Sequence, residues 1–330
     1  MTFTLLVVVI ILALVFEYIN GFHDAANAIA TVVSTKVLTP RMAVIYGGIF
    51  EFIGAFSGTH VAKTIGAGIV DVHVVTQTVI ICALLGAIVW NLITWYYGLP
   101  SSSSHALIGG LIGSSMAFGG LDTVNVHGFV SKVFVPMISS PLLGFLGGFI
   151  IMAMLFWLFC RFHPDRVNKY FRKFQLISAA FMAFGHGSND AQKTMGIITM
   201  ALVSYHFLDT FVVPTWVIIA CATTMGMGTM LGGWRIIRTM GTKVIKLKPI
   251  HGFAAQATAS SIIISASHFG IPISTTHVIT SSIMGVGSTV RFSAVKWGVV
   301  GNIVWAWVLT IPICALISCL LFYLLNWIGL

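Results

Sequence analysis

From Leu5 to Phe16 the chain carries no charged side chain, and apolar runs near the length needed to cross a bilayer as a helix recur to its end. Inside hydrocarbon the backbone has no water to bond, so a spanning segment must be a helix or a strand of a closed barrel. The alternating pattern of barrel strands is missing, and the spans read as helices. Composition agrees: of 330 residues 58% are hydrophobic and 8% charged, with a mean hydropathy of +1.00, too little charge for a water-facing surface. The sequence predicts an all-α polytopic integral membrane protein.

The first apolar run lacks a basic leader and passes into polar residues rather than a cleavage site, so it reads as a retained helix. Five cysteines form no CxxC pair and imply neither a disulfide nor a metal centre. A net charge of +9 would suit nucleic acid, but ten of the 17 basic residues fall in two short segments, RFHPDRVNKYFRK at 161–173 and RIIRTMGTKVIKLK at 235–248. That is a topology signal, and it removes the case for nucleic acid.

If both basic segments are cytoplasmic, an even number of spans separates them, and two do, at about 174–205 and 213–232. Counting backward gives segments at about 129–159, 106–118, 74–98, 42–57 and 3–35. Counting forward gives two segments flanking FGIPISTTH and a last one at about 298–328. Each half holds five, both termini lie outside, and the second half enters the membrane inverted. The expected organisation is an N-terminal repeat at 1–160, a short basic cytoplasmic linker at 161–173 and a C-terminal repeat at 174–330, with about 10–12 transmembrane segments.

Two motifs repeat in the same order. GFHDAAN aligns with HGSNDAQ, pairing Asp24 with Asp190, 166 positions on. GLPSSSSHALIGG aligns with GIPISTTHVITSS, pairing Pro100 with Pro272 and His105 with His277, 172 positions on. A lone aspartate in a membrane helix could bond a neighbouring backbone, and a serine run after a proline could simply cap the next helix. Neither role needs a copy at the equivalent place, whereas a site on a pseudo-two-fold axis draws one copy from each half.

A buried carboxylate at membrane depth costs roughly 2.5 to 3.5 kcal/mol on insertion scales, so Asp24 and Asp190 should meet a cation, a proton or a donor. Gly21 and Gly187 would let the helix break there and line a cavity with backbone groups. Oxygen ligands suit Na⁺ or Mg²⁺, and His23 is a proton acceptor beside Asp24. Ser102, Ser103 and Ser104, and Ser274, Thr275 and Thr276, each stand at a helix start, where free N–H groups and hydroxyls can hold a tetrahedral oxyanion. Hydrogenphosphate is favoured over sulfate because it can also donate to carboxylates. Lys193 shares a helix face with Asp190 and could pair with it or touch the anion. Glu17 and Glu51 have no duplicate and stand open between a coupling role and a structural pair.

NGFHDAANAIAT, GLPSSSSHALIG, GHGSNDAQKTMG and GIPISTTHVIT resemble the duplicated signatures of the inorganic phosphate transporter (PiT) family, bacterial low-affinity permeases in particular, over essentially the whole chain. The resemblance implies secondary transport of inorganic phosphate, broken helices, and two re-entrant hairpins around a central site. It places cation, proton and phosphate ligands at Asp24, Asn27, Asn189, Asp190 and Gln192, and anion-binding hydroxyls at Ser103, Ser104, Thr275 and Thr276. His23-Asp24 stands where animal members have Asn-Asp, a form similar to bacterial members that use protons and divalent metal-phosphate complexes.

The function read from the sequence is a phosphate symporter of the bacterial inner membrane, driven by protons or Na⁺, with a sulfate permease of the same family as the alternative. Asp24 and Asp190 are the candidate ligands of a Na⁺ or divalent ion, no cofactor is tightly bound, and the partners are phosphate and lipid, with a homodimer open to it. An intramembrane Ser-His-Asp hydrolase needs only one copy of each residue, and paired carboxylates would repel anions from a channel. Neither fits the duplication.

Overall fold

Thr39 and Pro40 show how the chain starts its helices: the Thr39 hydroxyl accepts from the Met42 amide at 3.4 Å, and the proline stands in the first turn where no donor is missed. The same logic recurs at Thr76, Ser102 and Ser274. A computed structural model describes residues 3–70 and 75–328, and apart from one β-bridge between Val70 and Val124 their regular structure is helical.

In chain order the helices are α1 (Phe3–Ser34), α2 (Pro40–Gly54), α3 (His60–Gly68), α4 (Gln77–Tyr97), α5 (Ser103–Gly119) and α6 (Val126–Phe159). There follow α7 (Pro164–Ser204), α8 (Thr215–Leu231), α9 (Trp234–Lys243), α10 (Pro249–His268), α11 (Thr275–Val290) and α12 (Trp297–Trp327). The second six repeat the first six, down to single turns. After α1, Lys36 takes φ 57° and the Val37 amide bonds Val32; after α7, His206 takes φ 58° and the Phe207 amide bonds Leu202. After α4 and α10, Gly98 and Gly270 take φ 66° and 67°, a left-handed turn that glycine adopts without a side-chain clash. Single 3₁₀ turns at Leu121–Thr123 and Phe292–Ala294 lead into α6 and α12.

The two repeats interleave. Helix α5 packs on α12 and α11 on α6, while α1 packs on α8 and α2 on α7, so each half supplies the other's neighbours. The two halves therefore do not form two independent bodies. One apolar cluster takes Leu6–Phe16 of α1 and Ala191–Val203 of α7; a second takes Ala26–Val32 of α1 and Phe171–Ala183 of α7. The polar motifs sit where the two clusters meet. Helices α6 and α12 carry much of the outward apolar surface, as lipid requires.

The structure departs from the sequence reading in four places. Helices α1 and α7 run unbroken through Asp24 and Asp190. Gly21 and Gly187 serve contact instead, because a Cβ there would strike the carbonyls of Met225 and Glu51 on crossing helices. The breaks fall at 98–102, at 270–274, and at Gly232-Gly233, where α8 and α9 meet at a 60° bend. Most of 161–173 is the first turns of α7, begun by Pro164 with Asp165 beside it, and much of 235–248 is α9. Helix α3 lies in a stretch read as a loop, since nine residues containing two glycines carry too weak a pattern to be seen.

Candidate functional site

Asp24 and Asp190 face each other across the junction of α1 and α7, and the two hairpin tips close over them. Every sequence-predicted site residue from both repeats is at most 4% exposed, so the cluster is shut off from both membrane faces.

On the α1 side, His23 Nδ1 lies 2.7 Å from Asp24 Oδ1 and its Nε2 lies 2.9 Å from the Thr94 hydroxyl. Ser101 bonds Thr94 at 2.9 Å, and Ser103 approaches His23 Nδ1 at 3.5 Å. Asn189 holds the equivalent place on α7 and reaches the second hairpin in the same way, donating to Ser267 Oγ at 2.9 Å and to the Ile271 carbonyl at 3.4 Å.

The tips meet the centre through their last hydroxyls. Asn27 Nδ2 donates to Thr276 Oγ1 at 2.9 Å and to Thr275 Oγ1 at 3.2 Å. Thr275 donates to Asp190 Oδ2 at 3.1 Å, and Thr276 approaches Asp24 Oδ1 at 3.5 Å. Lys193, 166 positions after Asn27, makes the mirrored contact: its ammonium donates to Ser104 Oγ, to Asp190 Oδ1 at 2.5 Å and to the Ile273 carbonyl at 2.9 Å. The same slot thus holds a neutral amide in one half and a full positive charge in the other.

Three of the predicted residues are engaged differently. Ser102 and Ser274 accept from the His105 and His277 amides, each at 3.2 Å, and so cap α5 and α11. Gln192 accepts from the Val61 amide at 2.8 Å and donates to the Ser188 carbonyl at 2.6 Å, tying α3 to α7.

Sequence reasoning passed over His186. Its Nε2 stands 3.1 Å from Asp190 Oδ2 and its Nδ1 2.8 Å from Glu51 Oε1, while the Thr229 hydroxyl donates to the other Glu51 oxygen. His186 lies four residues before Asp190, one helical turn on the same face, and that spacing was the available signal. Glu17 accepts from Thr194, which lies one turn beyond Asp190. One atom each from Asp24, His186 and Asp190 lies within 4.8 Å of the others, close enough for a cation to bridge them. The His23 nitrogens lie nearest Asp24 and Thr94, with the Ser103 and Ser101 hydroxyls farther off at 3.5 and 3.4 Å.

Residues 20–164 and 160–318 match the phosphate transporter family. Over 98% of its length the chain is 49% identical to a probable low-affinity inorganic phosphate transporter of Rhizobium meliloti (strain 1021), covering 97% of that protein. It is 48% identical to one of Bacillus subtilis (strain 168), covering 98% of each chain. Among solved structures it superposes on the sodium-dependent phosphate transporter with a TM-score of 0.91 at 26% identity, covering 98% of this chain and 100% of that one. Fold, duplicated motifs and relatives agree that the chain is an integral membrane transporter of the phosphate transporter family.

Proposed function

We propose that the closed central cluster carries inorganic phosphate together with a co-transported cation, and that the cation is a proton or a divalent metal bound with phosphate rather than Na⁺. The observation that carries this reading is the mirrored contact of Ser104 with Lys193 and of Thr276 with Asn27 over a pair of aspartates. It supplies donors from both halves to one small volume, which suits a tetrahedral oxyanion.

Electrostatics then couples the two solutes. Two carboxylates facing one ammonium leave the cluster one negative charge in excess, and like charges 4 Å apart repel by about 4 kcal/mol at an effective dielectric near 20. Lys193 offsets Asp190 permanently. Asp24 has no such partner and needs a mobile one, and His23 beside it is suited to take a proton. Once Asp24 is neutralised, the Thr276 hydroxyl that faces it is freed to donate to the anion. The contacts from Glu51 through His186 to Asp190 offer a second chain along which a proton can be held. Asp24 and Asp190, with His186, are also the ligands a metal bound with phosphate would meet.

We further place the basic stretches 161–173 and 235–248 on the cytoplasmic face of a bacterial inner membrane, with both termini outside and the repeats divided at 161–173. Labelled-phosphate uptake into proteoliposomes, with pH and Na⁺ gradients imposed separately, tests the whole reading. Uptake should follow the proton gradient and collapse with a protonophore. Uptake driven by Na⁺ at constant pH overturns the choice of ion, and sulfate outcompeting phosphate overturns the choice of anion.

A further inference from the structure

Away from the centre, a cavity of about 880 Å³ lies where the end of α6 and the start of α7 meet the segment before α10 and the turn before α12. Its walls differ in kind. Leu155, Phe156 and Phe159 of α6 form an apolar flank, continuous with the exposed Trp157 and Leu158. Lys246, Lys248, Arg291 and Lys296 form the facing rim, and all four are exposed. Among the described lining residues there is no carboxylate. The two basic segments are joined by the Lys296 amide bonding the Val244 carbonyl at 3.0 Å, so the rim is built by the fold.

The other repeat shows that the rim is not part of the duplicated transport machinery. Counting by the repeat, Lys248, Arg291 and Lys296 correspond to Thr76, Gly120 and Asn125, and Asp122 stands where Ser293 does. The cations belong to one membrane face only.

We propose that this groove binds one anionic phospholipid, its acyl chain along α6 and its phosphate headgroup among the four cations. A soluble anion would have no use for the apolar flank. A zwitterionic lipid brings an ammonium of its own, which the rim opposes. A second copy of this chain would have to present acidic surface, yet Glu17, Asp24, Glu51 and Asp190, four of its eight acidic residues, are buried at the centre. Basic pockets between helices at a cytoplasmic face are where acidic headgroups bind, each nearby cation adding attraction that falls off within a Debye length.

Thermal unfolding of the purified full chain in detergent tests this, comparing the wild type with a Lys246→Gln, Lys248→Gln, Arg291→Gln, Lys296→Gln variant. Phosphatidylglycerol should raise the wild-type Tm by about 3 °C or more, as preferential binding to the native state requires, and raise that of the variant by less than half as much. Phosphatidylcholine and glycerol phosphate should do little to either. An equal response to phosphatidylcholine, an equal response of the variant, or the same shift from glycerol phosphate alone overturns the proposal, as does a lipid response that appears only with a change from dimer to monomer. Should the variant not fold, native mass spectrometry of the wild type drawn from equimolar phosphatidylglycerol and phosphatidylcholine decides the matter. Retained phosphatidylglycerol upholds the site, and no preference between the lipids overturns it.

Discussion

Asn27 and Lys193 occupy the same slot in the two repeats, each on the long first helix, each bonded to the last hydroxyl of the opposite hairpin tip. One is neutral and the other charged. A strictly symmetric site would treat its two aspartates alike; this one pairs Asp190 with Lys193 at 2.5 Å, while Asp24 has no lysine or arginine paired with it among the described residues and lies 2.7 Å from His23. The duplication supplied the geometry, and divergence, Asn27 against Lys193 and His23 against Asn189, made the halves chemically unlike; on the proposed coupling the first is the half that must be loaded.

The largest effect should come from the half that must be loaded. On the proposed coupling, Asp24→Asn removes the carboxylate to be neutralised, and gradient-driven uptake should fall by about 100-fold, the scale of a lost buried charge interaction near 3 kcal/mol. Uptake that survives Asp24→Asn and Asp190→Asn together would break the electrostatic account outright.

Lys193→Gln makes the slots alike and leaves Asp190 unmatched, so uptake should drop by about 10- to 100-fold at a given pH. The sharper measurement adds Asp190→Asn to the same chain. If Lys193 acts as a fixed counter-charge, the second change restores part of the lost rate; if it serves only the anion, the double variant is no better than the single one.

Ser104→Ala and Thr276→Val strike mirrored hydroxyls and should each raise the KM for phosphate about tenfold, near 1.4 kcal/mol of lost hydrogen bonding, with folding preserved. Unequal effects would show that the anion leans on one tip, and no effect on either would reduce both serine runs to helix caps. The smallest change is expected two positions earlier in each motif region. Ser102→Ala and Ser274→Ala remove caps and should cost about 1 kcal/mol of stability each, seen as a lower Tm, with KM for phosphate little changed.

Much of this was legible in the residues. Long uncharged runs force helices, and parity between the basic segments forces inversion. The recurrence of Asp24 at Asp190 and of His105 at His277 pointed to the four stretches that the fold brings together. The tip hydroxyls were read in the same way, because a buried polar group repeated at an equivalent place demands a partner, whereas Lys193 was read from its place one turn from Asp190 on the same helix face. Local pattern could not tell an intact helix from a broken one at Gly21 and Gly187. Glycine permits both, and the choice lay with Met225 and Glu51, carbonyl-bearing neighbours far away in the chain.

What the sequence by itself determined is the class of the protein, its duplication and many, though not all, of the groups that meet at the centre, His186 being the one it passed over. Those follow from burial energetics and periodicity, which act residue by residue. Only the tertiary structure decided who pairs with whom. It put His186 between Glu51 and Asp190, made caps of Ser102 and Ser274, spent Gln192 on α3, and interleaved the repeats so that the second tip reaches both aspartates while the first meets Lys193. The caps and the His186–Asp190 pair are local, but the contacts of Glu51 with His186, of Gln192 with α3 and of Thr276 with Asp24 join residues more than a hundred positions apart, set by how two inverted copies pack, and no local spacing encodes them.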